Sequence, residues 1–374
     1  MEHRPLGQTG LNVSIQGFGG MRIPNQPQDE VTELLNRALD LGVTYIDTAP
    51  GYGNSEELIG NAFEGRDTSG VVFSTKTNDK EADAVRARVE TSLQRLKRDQ
   101  ISVLQLWGVN DREDAAKVLG PGGAVEGARK LQDEGLIAHL GFTTHALTHH
   151  ALEVMESGEF VSVTGRYHYL DTAYDALREK AIELGMGYVA MTPLGQGWLA
   201  RPSDALRAAL GDYSPVEFAL RYTAHLPGVT ALIVGISNLA ELEEAHAALG
   251  GELGDPAELM SRGDEIRETL RAAVGEDFCT LCGECLPCPA NINIPELLRL
   301  NNLLRGYDLV DWGKDRYKLM GNAGNWYPGV KVDHCTKCGD CEPRCPEKLE
   351  ITRMLDALHE ELFEGERGRM SKED

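Results

Sequence analysis

Short apolar runs alternate with longer amphipathic segments over the first 250 residues of this 374-residue chain, a pattern that few folds accommodate. The strand-like runs lie at 13–18, 44–48, 71–76, 102–107, 138–143, 160–164, 187–192 and 230–236. The helical segments lie at 29–41, 55–63, 81–96, 123–134, 147–155, 172–184, 215–222 and 239–249. Eight strands, each followed by a helix, predict a closed parallel (β/α)8 TIM barrel rather than an open doubly wound sheet. We therefore expect residues 1–255 to form an α/β barrel domain.

The chain is strongly acidic, with 59 acidic and 37 basic residues and a formal net charge of −22. This charge argues against nucleic acid and anionic membrane surfaces as partners and favours a basic redox partner protein. No apolar stretch approaches the roughly 20 residues that cross a bilayer. The first ten residues, MEHRPLGQTG, lack the apolar core of a secretory signal, so we expect a cytoplasmic protein.

All eight cysteines lie in the last hundred residues, in two closely spaced runs. The runs are Cys279-x2-Cys282-x2-Cys285-x2-Cys288-Pro289 and Cys335-x2-Cys338-x2-Cys341-x3-Cys345-Pro346. The second has the spacing by which bacterial ferredoxins hold two [4Fe-4S] clusters, where the cysteine before the proline reaches the other cluster. By that rule Cys345 joins the first three cysteines of the first run, and Cys288 joins those of the second. Only two residues, rather than three, separate Cys285 from Cys288, so the spacing leaves open whether Cys288 crosses over or closes its own cluster.

Zinc and disulfides are the alternatives for these cysteines. Zinc sites use Cys-x2-Cys pairs separated by a loop, whereas here four cysteines crowd into residues 279–288. Disulfides are not expected in a reducing compartment. We therefore expect the cysteines to ligate two [4Fe-4S] clusters and the chain to transfer electrons.

Active sites of TIM barrels lie where the strands end, and polar residues are dense at these positions. They are Arg22, Asp47, Tyr52, Asn54, Lys76, Asn78, Trp107, Asn110, Thr143, Thr144, His145, Arg166, Tyr167 and His168. Lys76 closes an apolar strand, where a buried charge needs a carboxylate beside it, and Asp47 is the natural partner. A neighbouring ammonium should lower the pKa of a tyrosine and make it a proton donor near neutral pH. A purely structural salt bridge is the alternative.

The runs YIDTAPGYG at 45–53 and FSTKT at 73–77 resemble the aldo-keto reductases. Together with the cysteine runs, GFGGMR at 17–22 resembles the branch of that superfamily fused to a C-terminal ferredoxin-type domain with two [4Fe-4S] clusters. The resemblance implies a tetrad in which Asp47 orients, Tyr52 is the acid/base and Lys76 tunes it. Trp107 stands where the family has a histidine, and an indole donates one hydrogen bond but cannot titrate. Asn110 and His145 are the candidates to replace that histidine.

The resemblance also implies a nicotinamide cofactor bound along the strand ends. GFTT at 141–144 and Thr164 stand at carboxamide positions, MTPLG at 191–195 resembles the pyrophosphate loop, and GISN at 235–238 resembles the adenosine site. The expected contacts are Arg22, Thr143, Thr144, Thr164, Thr192, Leu194, Gly235, Ser237, Asn238 and Glu244. Glu243 and Glu244 follow the last of these runs, so NAD(H) fits better than NADP(H) by charge. FMN bound by the last two strand-to-helix loops is a further option.

Residues 256–374 are expected to form a linking helix at 257–273 and a small, mainly helical, ferredoxin-like iron–sulfur domain. Helices are expected at 294–304 and 351–363, with aromatic residues that include Trp312, Tyr317, Trp326 and Tyr327 between the cysteine runs and a solvated charged tail at the end.

The sequence thus predicts an oxidoreductase that acts on a small carbonyl or alcohol substrate at the barrel mouth and passes electrons through two clusters. One alternative is a non-catalytic electron-carrier or redox-sensing subunit with a degenerate barrel. Another is a nicotinamide-dependent reductase whose clusters are structural.

Overall fold

The computed structural model describes residues 1–322 and 329–364, which form two compact units. The first unit contains Met1–Ala200 and Ser214–Leu259, and the second contains Arg201–Tyr213 and the chain from Met260 onward. The domain boundary predicted at residue 255 stays a prediction. None of the helices described is long and apolar enough to cross a membrane.

Eight parallel strands close the first unit into a barrel in chain order, with the last strand paired to the first, which confirms the predicted TIM barrel. The barrel strands are β3 (Gln16–Gly19), β4 (Tyr45–Asp47), β5 (Val72–Thr77), β6 (Ile101–Trp107), β7 (Ile137–Thr144), β8 (Ser162–Arg166), β9 (Gly187–Met191) and β10 (Val229–Gly235).

The predicted first strand, 13–18, is two strands in the structure. Its beginning belongs to β2 (Asn12–Ser14), which pairs antiparallel with β1 (His3–Pro5), and its end belongs to β3. The chain changes partner at Ser14, whose hydroxyl donates to Gln16 O at 2.6 Å and accepts from Thr44 N at 2.8 Å. Side-chain hydrogen bonds of this kind replace ladder bonds and so interrupt a strand.

The hairpin β1–β2 contributes to the core at the amino-terminal end of the barrel strands. Leu6 and Val13 pack in a fully buried cluster with interior residues of the barrel, namely Tyr45, Val72, Val103, Val189 and Ala231. This apolar layer fills the lower end of the barrel, so a polar pocket can form only towards the carboxyl ends of the strands.

Helices follow the strands as expected, with additions that periodicity did not indicate. The first unit has α1 (Gln28–Asp40), α2 (Ser55–Ala62), α3 (Ala82–Leu96), α4 (Arg112–Leu119), α5 (Ala124–Asp133), α6 (Thr148–Met155), α7 (Asp175–Leu184), α9 (Pro215–His225) and α10 (Leu239–Leu249). The short α4 was not predicted because it buries only Val118, and its start is fixed instead by the Asp111 cap, which accepts from Asp114 N.

The second unit is helical around the cysteine runs. It contains α8 (Asp204–Ala209), α12 (Ile294–Tyr307), α13 (Val310–Leu319) and α14 (Ile351–Leu362), while α11 (Pro256–Val274) spans the division between the units. The predicted helices at 257–273, 294–304 and 351–363 correspond to α11, α12 and α14, whereas α8 and α13 were not predicted. The aromatic residues Trp326 and Tyr327 and the tail from residue 365 lie outside the described residues.

Candidate active site and cysteine ligands

Strands β4 and β5 bring Asp47 and Lys76 together inside the barrel. Lys76 Nζ lies 2.5 Å from Asp47 Oδ1 and also donates to Thr48 O at 2.8 Å. The two side chains are only 3% and 5% exposed. Burial acts to lower the pKa of Lys76, but Asp47 and Tyr52 oppose it, and the net pKa lies above the ordinary value. Lys76 is therefore a charged ammonium at neutral pH, held by a carboxylate.

Tyr52 lies in the loop between β4 and α2, with the centroid of its ring 4.8 Å from Lys76 Nζ. Hydrogen bonds anchor the loop on both sides, because Thr48 Oγ1 donates to Ser55 Oγ and Ser55 Oγ donates to Gly20 O. The expectation of a lowered tyrosine pKa is wrong. Burial raises the pKa of Tyr52 above its ordinary value of 10.0 and outweighs the lowering effect of Lys76. The hydroxyl is consequently protonated at neutral pH and can donate a proton.

Trp107, at the end of β6, covers the backbone next to Tyr52. A Cβ placed on Gly51 would lie 3.3 Å from Trp107 Cζ3, so the indole packs on Gly51. The two candidates for replacing the missing histidine interact with each other, since His145 N donates to Asn110 Oδ1 at 3.3 Å. This bond links the loops that follow β6 and β7. The indole therefore lies beside the loop that carries Tyr52.

Threonines at the ends of β7 and β8 face the same interior side as Trp107. The register pairs Trp107 with Thr143 and Thr143 with Thr164. Thr164 Oγ1 is buried without a hydrogen-bond partner in the described part of the chain, and Thr143 Oγ1 lies 4.0 Å from Met191 Sδ. Thr144 differs, because its hydroxyl accepts from Ala146 N at 3.0 Å within its own loop. An unsatisfied buried hydroxyl is costly, so Thr164 is suited to a polar ligand group.

Arg22 lies where the segment after β3 meets the ends of β9 and β10. A Cβ on Gly197 would lie 3.1 Å from Arg22 Nη1, and one on Gly235 would lie 3.1 Å from Arg22 Cδ. The loop after β9 is strongly bent, with φ of +56° at Thr192 and +100° at Gly197, and +56° is rare for a β-branched residue. An exposed guanidinium at the loops following the last two barrel strands suits a phosphate group. Leu194 lies in the same loop, and its carbonyl oxygen accepts a hydrogen bond from Gly197 N, which holds the bend of the loop.

A glutamate occupies the N-terminus of α10, next to the expected adenosine site. Asn238 caps the helix by accepting from Glu241 N at 3.0 Å, and Glu241 Oε2 accepts from both Ser237 N and Ser237 Oγ at 2.8 Å. The carboxylate thus takes donors that a helix N-terminus otherwise offers to phosphate. Glu243 pairs with Arg37, and Glu244 is exposed.

The structure brings cysteine thiols of the two runs close together. One cavity in the second unit is lined by Cys285 and Cys288 of the first run and by Cys335, Cys338 and Cys341 of the second. Electrostatic interactions join Cys341 to Cys288, and Cys279 to Cys282 and Cys345. Each cysteine that precedes a proline therefore lies near the other run, an arrangement that favours the crossover.

The thiols surround a space instead of meeting at a point. Within residues 1–322 and 329–364, no three or more His, Cys, Asp or Glu side chains are placed to hold a single metal ion. Burial raises the pKa of Cys279 to about 11 and that of Cys285 to about 12, so these thiols need a cationic centre to ionise. Sulfur donors around a cavity fit an iron–sulfur cube better than one zinc ion.

Comparison with known proteins assigns both parts of the chain. Residues 17–267, more than half of its length, match the model of the aldo/keto reductase family. The chain belongs to the aldo/keto reductase family. Residues 278–349 match a 4Fe-4S dicluster domain, so this aldo/keto reductase carries a C-terminal iron–sulfur domain, and the predicted fusion is confirmed.

Relatives of this aldo/keto reductase are dehydrogenases and reductases. L-galactose dehydrogenase from Arabidopsis thaliana is 26% identical over 308 residues, which cover 72% of this chain and 96% of the relative. Pyridoxine 4-dehydrogenase from Escherichia coli is 28% identical over 260 residues, which cover 63% and 90%. An aldo-keto reductase structure from Bacillus halodurans superposes with a TM-score of 0.62 at 23% identity, covering 71% of this chain and 96% of that one. The family and these relatives make the protein an oxidoreductase.

Three residues of this aldo/keto reductase escaped the sequence analysis. Gln105 Nε2 donates to Asp47 Oδ2 at 3.0 Å and to Ser74 Oγ at 2.6 Å, and so fixes the carboxylate beneath Lys76. Gln105 and Ser74 each precede a named site residue by two positions, so strand alternation places them on the same interior side. Glu241 follows Asn238 by three positions, the spacing of a capping box, and this spacing could have indicated Glu241 rather than Glu244.

Proposed function

We propose that this aldo/keto reductase interconverts an alcohol and a carbonyl at the barrel mouth, with Tyr52 as the proton donor and acceptor. The observation that carries the proposal is the buried Asp47–Lys76 pair, which lies against the Tyr52 ring at the ends of β4 and β5. Perturbed ionisable groups of this kind gather at functional sites. The same arrangement supports the roles that the family resemblance assigns to these three residues.

In carbonyl reduction, Tyr52 gives its proton to the carbonyl oxygen while a hydride adds to the carbon. In alcohol oxidation, the tyrosinate takes the hydroxyl proton and the hydride leaves. Lys76 remains charged throughout, so its ammonium stabilises the tyrosinate when the proton has gone. Asp47, held by Gln105, keeps the ammonium in place. The indole N–H of Trp107 can donate one hydrogen bond to the substrate oxygen, and this leaves proton transfer to Tyr52.

NAD(H) is the proposed cofactor, and it supplies or accepts the hydride when bound. The unpartnered hydroxyl of Thr164 supports a carboxamide contact there, with Thr143 beside it. Arg22 would contact the pyrophosphate near Thr192 and Leu194, and Gly235 leaves room for the guanidinium stem. The proposed contacts with the adenosine part of NAD(H) are Ser237, Asn238 and Glu244. The carboxylate of Glu241 beside Ser237 N would repel a 2′-phosphate, which supports NAD(H) over NADP(H).

The dicluster domain is proposed to connect this reaction to a redox partner protein. The proposed ligands are Cys279, Cys282, Cys285 and Cys345 for one [4Fe-4S] cluster and Cys288, Cys335, Cys338 and Cys341 for the other. Each cluster would accept one electron, so two clusters together match the two electrons of one NADH, and FMN bound between the nicotinamide and the clusters would divide the hydride pair into single electrons. The grouping of thiols from both runs around one cavity supports this ligand assignment.

The test uses anaerobically purified protein with L-galactose and pyridoxine as probes, because named relatives act on these compounds. NADH formation and bleaching of the iron–sulfur absorption are recorded together. Tyr52→Phe should lower kcat by about 10²–10⁴-fold with NAD binding unchanged. Tyr307→Phe, which removes a buried hydroxyl that donates to Ile266 O and lies outside the strand-end residues, is the matched control and should retain activity.

The alternatives give different results in the same experiment. Turnover of NAD without any change in the cluster spectrum would mean that the clusters are structural. A wild-type protein and a Tyr52→Phe variant that behave identically with every probe and with a one-electron carrier would indicate a non-catalytic subunit.

A further inference from the structure

We propose that Asn302 is a positioning residue that holds Cys279 in place as a ligand of the first cluster. The inference rests on the ligand assignment of the proposed function. It concerns a residue of α12, outside both cysteine runs and 23 positions from the cysteine that it contacts.

Asn302 binds the backbone of Cys279 through both ends of its side-chain amide. Cys279 N donates to Asn302 Oδ1 at 3.1 Å, and Asn302 Nδ2 donates to Cys279 O at 2.8 Å. The two residues are 4% and 8% exposed, so water does not compete for these bonds. Two hydrogen bonds to one residue fix the rotation of its backbone, and they therefore fix the direction of its Cα–Cβ bond and thiol. Leu281 N also points at this thiol, 3.4 Å from Cys279 Sγ.

The two cysteine runs need different anchors although their local backbones are alike. Both begin with the pattern CTxCGxC, and the third residue is left-handed in each, with φ of +60° at Leu281 and +54° at Lys337. In the second run, Cys335 N donates to Val332 O at 2.7 Å, within a short 3₁₀ turn formed by the preceding residues. In the first run, the corresponding turn ends earlier, where Phe278 N donates to Gly275 O. Asn302 takes the bond that this turn leaves unmade at Cys279.

A merely structural role for Asn302 would stabilise α12 and affect both clusters alike. That helix has its own anchors, because Asn293 caps it by accepting from Glu296 N and Glu296 pairs with Arg299 in the buried interior. A positioning role instead predicts the selective loss of one cluster. Asn302 binds Cys279, which is not among the cysteines that line the cavity of the second thiol group, namely Cys285, Cys288, Cys335, Cys338 and Cys341.

The test compares Asn302→Leu with Asn301→Leu, a change to the neighbouring asparagine of the same helix, which is equally buried at 4% exposure. Iron and acid-labile sulfide per chain and the EPR spectrum of the reduced protein are measured after anaerobic purification. Two [4Fe-4S] clusters give about eight irons per chain, so Asn302→Leu should retain about four irons and one of the two EPR signals. Asn301→Leu should retain about eight irons and both signals.

Full iron content and an unchanged spectrum in Asn302→Leu would overturn the inference, as would equal losses in both variants. If Asn302→Leu does not fold, Asn302→Ser decides in its place, because a hydroxyl is too short to reach both backbone groups and the same selective loss is expected. Wild-type protein without iron or sulfide would instead refute the cluster assignment itself. The two failures are therefore distinguishable.

Discussion

Replacing Lys76 with methionine tests whether the barrel mouth is built around a buried charge pair. The substitution keeps the length and the apolar stem of the side chain but removes the ammonium from Asp47. That carboxylate, 3% exposed, would then lie in the barrel with Gln105 as a hydrogen-bond donor and without a counter-charge. We expect a large loss of stability as well as a loss of catalysis.

The size of the effect follows from the geometry. At the observed separation of 2.5 Å, an effective dielectric constant of about 20 gives a gross attraction of roughly 7 kcal/mol. Desolvation offsets part of this attraction, and removal of one partner from a buried pair costs about 3–5 kcal/mol, since the other charge is left uncompensated. For a domain of this size, that loss corresponds to a fall in Tm of roughly 6–20 °C.

Thermal unfolding followed by far-UV circular dichroism measures the change, with the double variant Asp47→Asn/Lys76→Met as the decisive comparison. The double variant carries no buried charge at this site and should regain most of the lost Tm, yet it should stay inactive. Lys117→Met is the control, because Lys117 pairs with Glu113 on the surface and its loss should leave the Tm nearly unchanged. A single variant as stable as wild type, or a double variant no more stable than the single one, would refute the reasoning.

Other parts of the molecule give equally definite expectations. Burial raises the pKa of Tyr52, so kcat for alcohol oxidation should increase with pH without a plateau up to about pH 10. The kcat for carbonyl reduction should depend little on pH in that range. Steady-state kinetics in both directions measure the two pH profiles. Glu241→Gln removes the carboxylate charge next to Ser237 N and should raise the NADPH to NADH ratio of kcat/KM by about 5–10-fold, equivalent to about 1–1.4 kcal/mol. If Cys345 crosses over, the EPR spectrum of Cys345→Ala should match that of Cys282→Ala; a match to Cys338→Ala would mean that each run closes its own cluster.

The barrel could be predicted from the sequence because each of its main strands and helices has a hydrophobic periodicity within its own residues. The hairpin β1–β2 could not, since strands of three residues carry little pattern and their role depends on Leu6 and Val13 meeting residues far along the chain. Helix α8 is similar: it lies between barrel elements in the sequence but belongs to the second unit. The places of the hairpin β1–β2 and of α8 in the fold depend on contacts between residues far apart in the chain, and the local hydrophobic periodicity carries no information about such contacts.

Some features of the candidate site could likewise be predicted from the sequence, and others could not. The ion pair between Asp47 and Lys76 could be predicted from the sequence, because a buried charge at the end of an apolar strand is costly without an opposite charge beside it. The pKa of Tyr52 was predicted in the wrong direction because the charge of Lys76 is visible in the sequence, while the burial of the hydroxyl, which outweighs it, is not. The spacing of the cysteines left the role of Cys288 open, and the three-dimensional grouping of thiols from both runs supplies the argument for crossover.

Trp107 and Tyr52 together suggest why this site differs from one with a histidine. A titrating imidazole could share the proton with the substrate, but an indole donates one hydrogen bond at every pH and releases no proton. With the pKa of Tyr52 raised by burial, both groups that we propose to face the substrate oxygen are neutral donors at neutral pH. Two neutral donors stabilise negative charge developing on a carbonyl oxygen, whereas alcohol oxidation must first create a tyrosinate. We therefore propose that the barrel mouth favours carbonyl reduction near neutral pH, which would require electrons to flow towards the barrel.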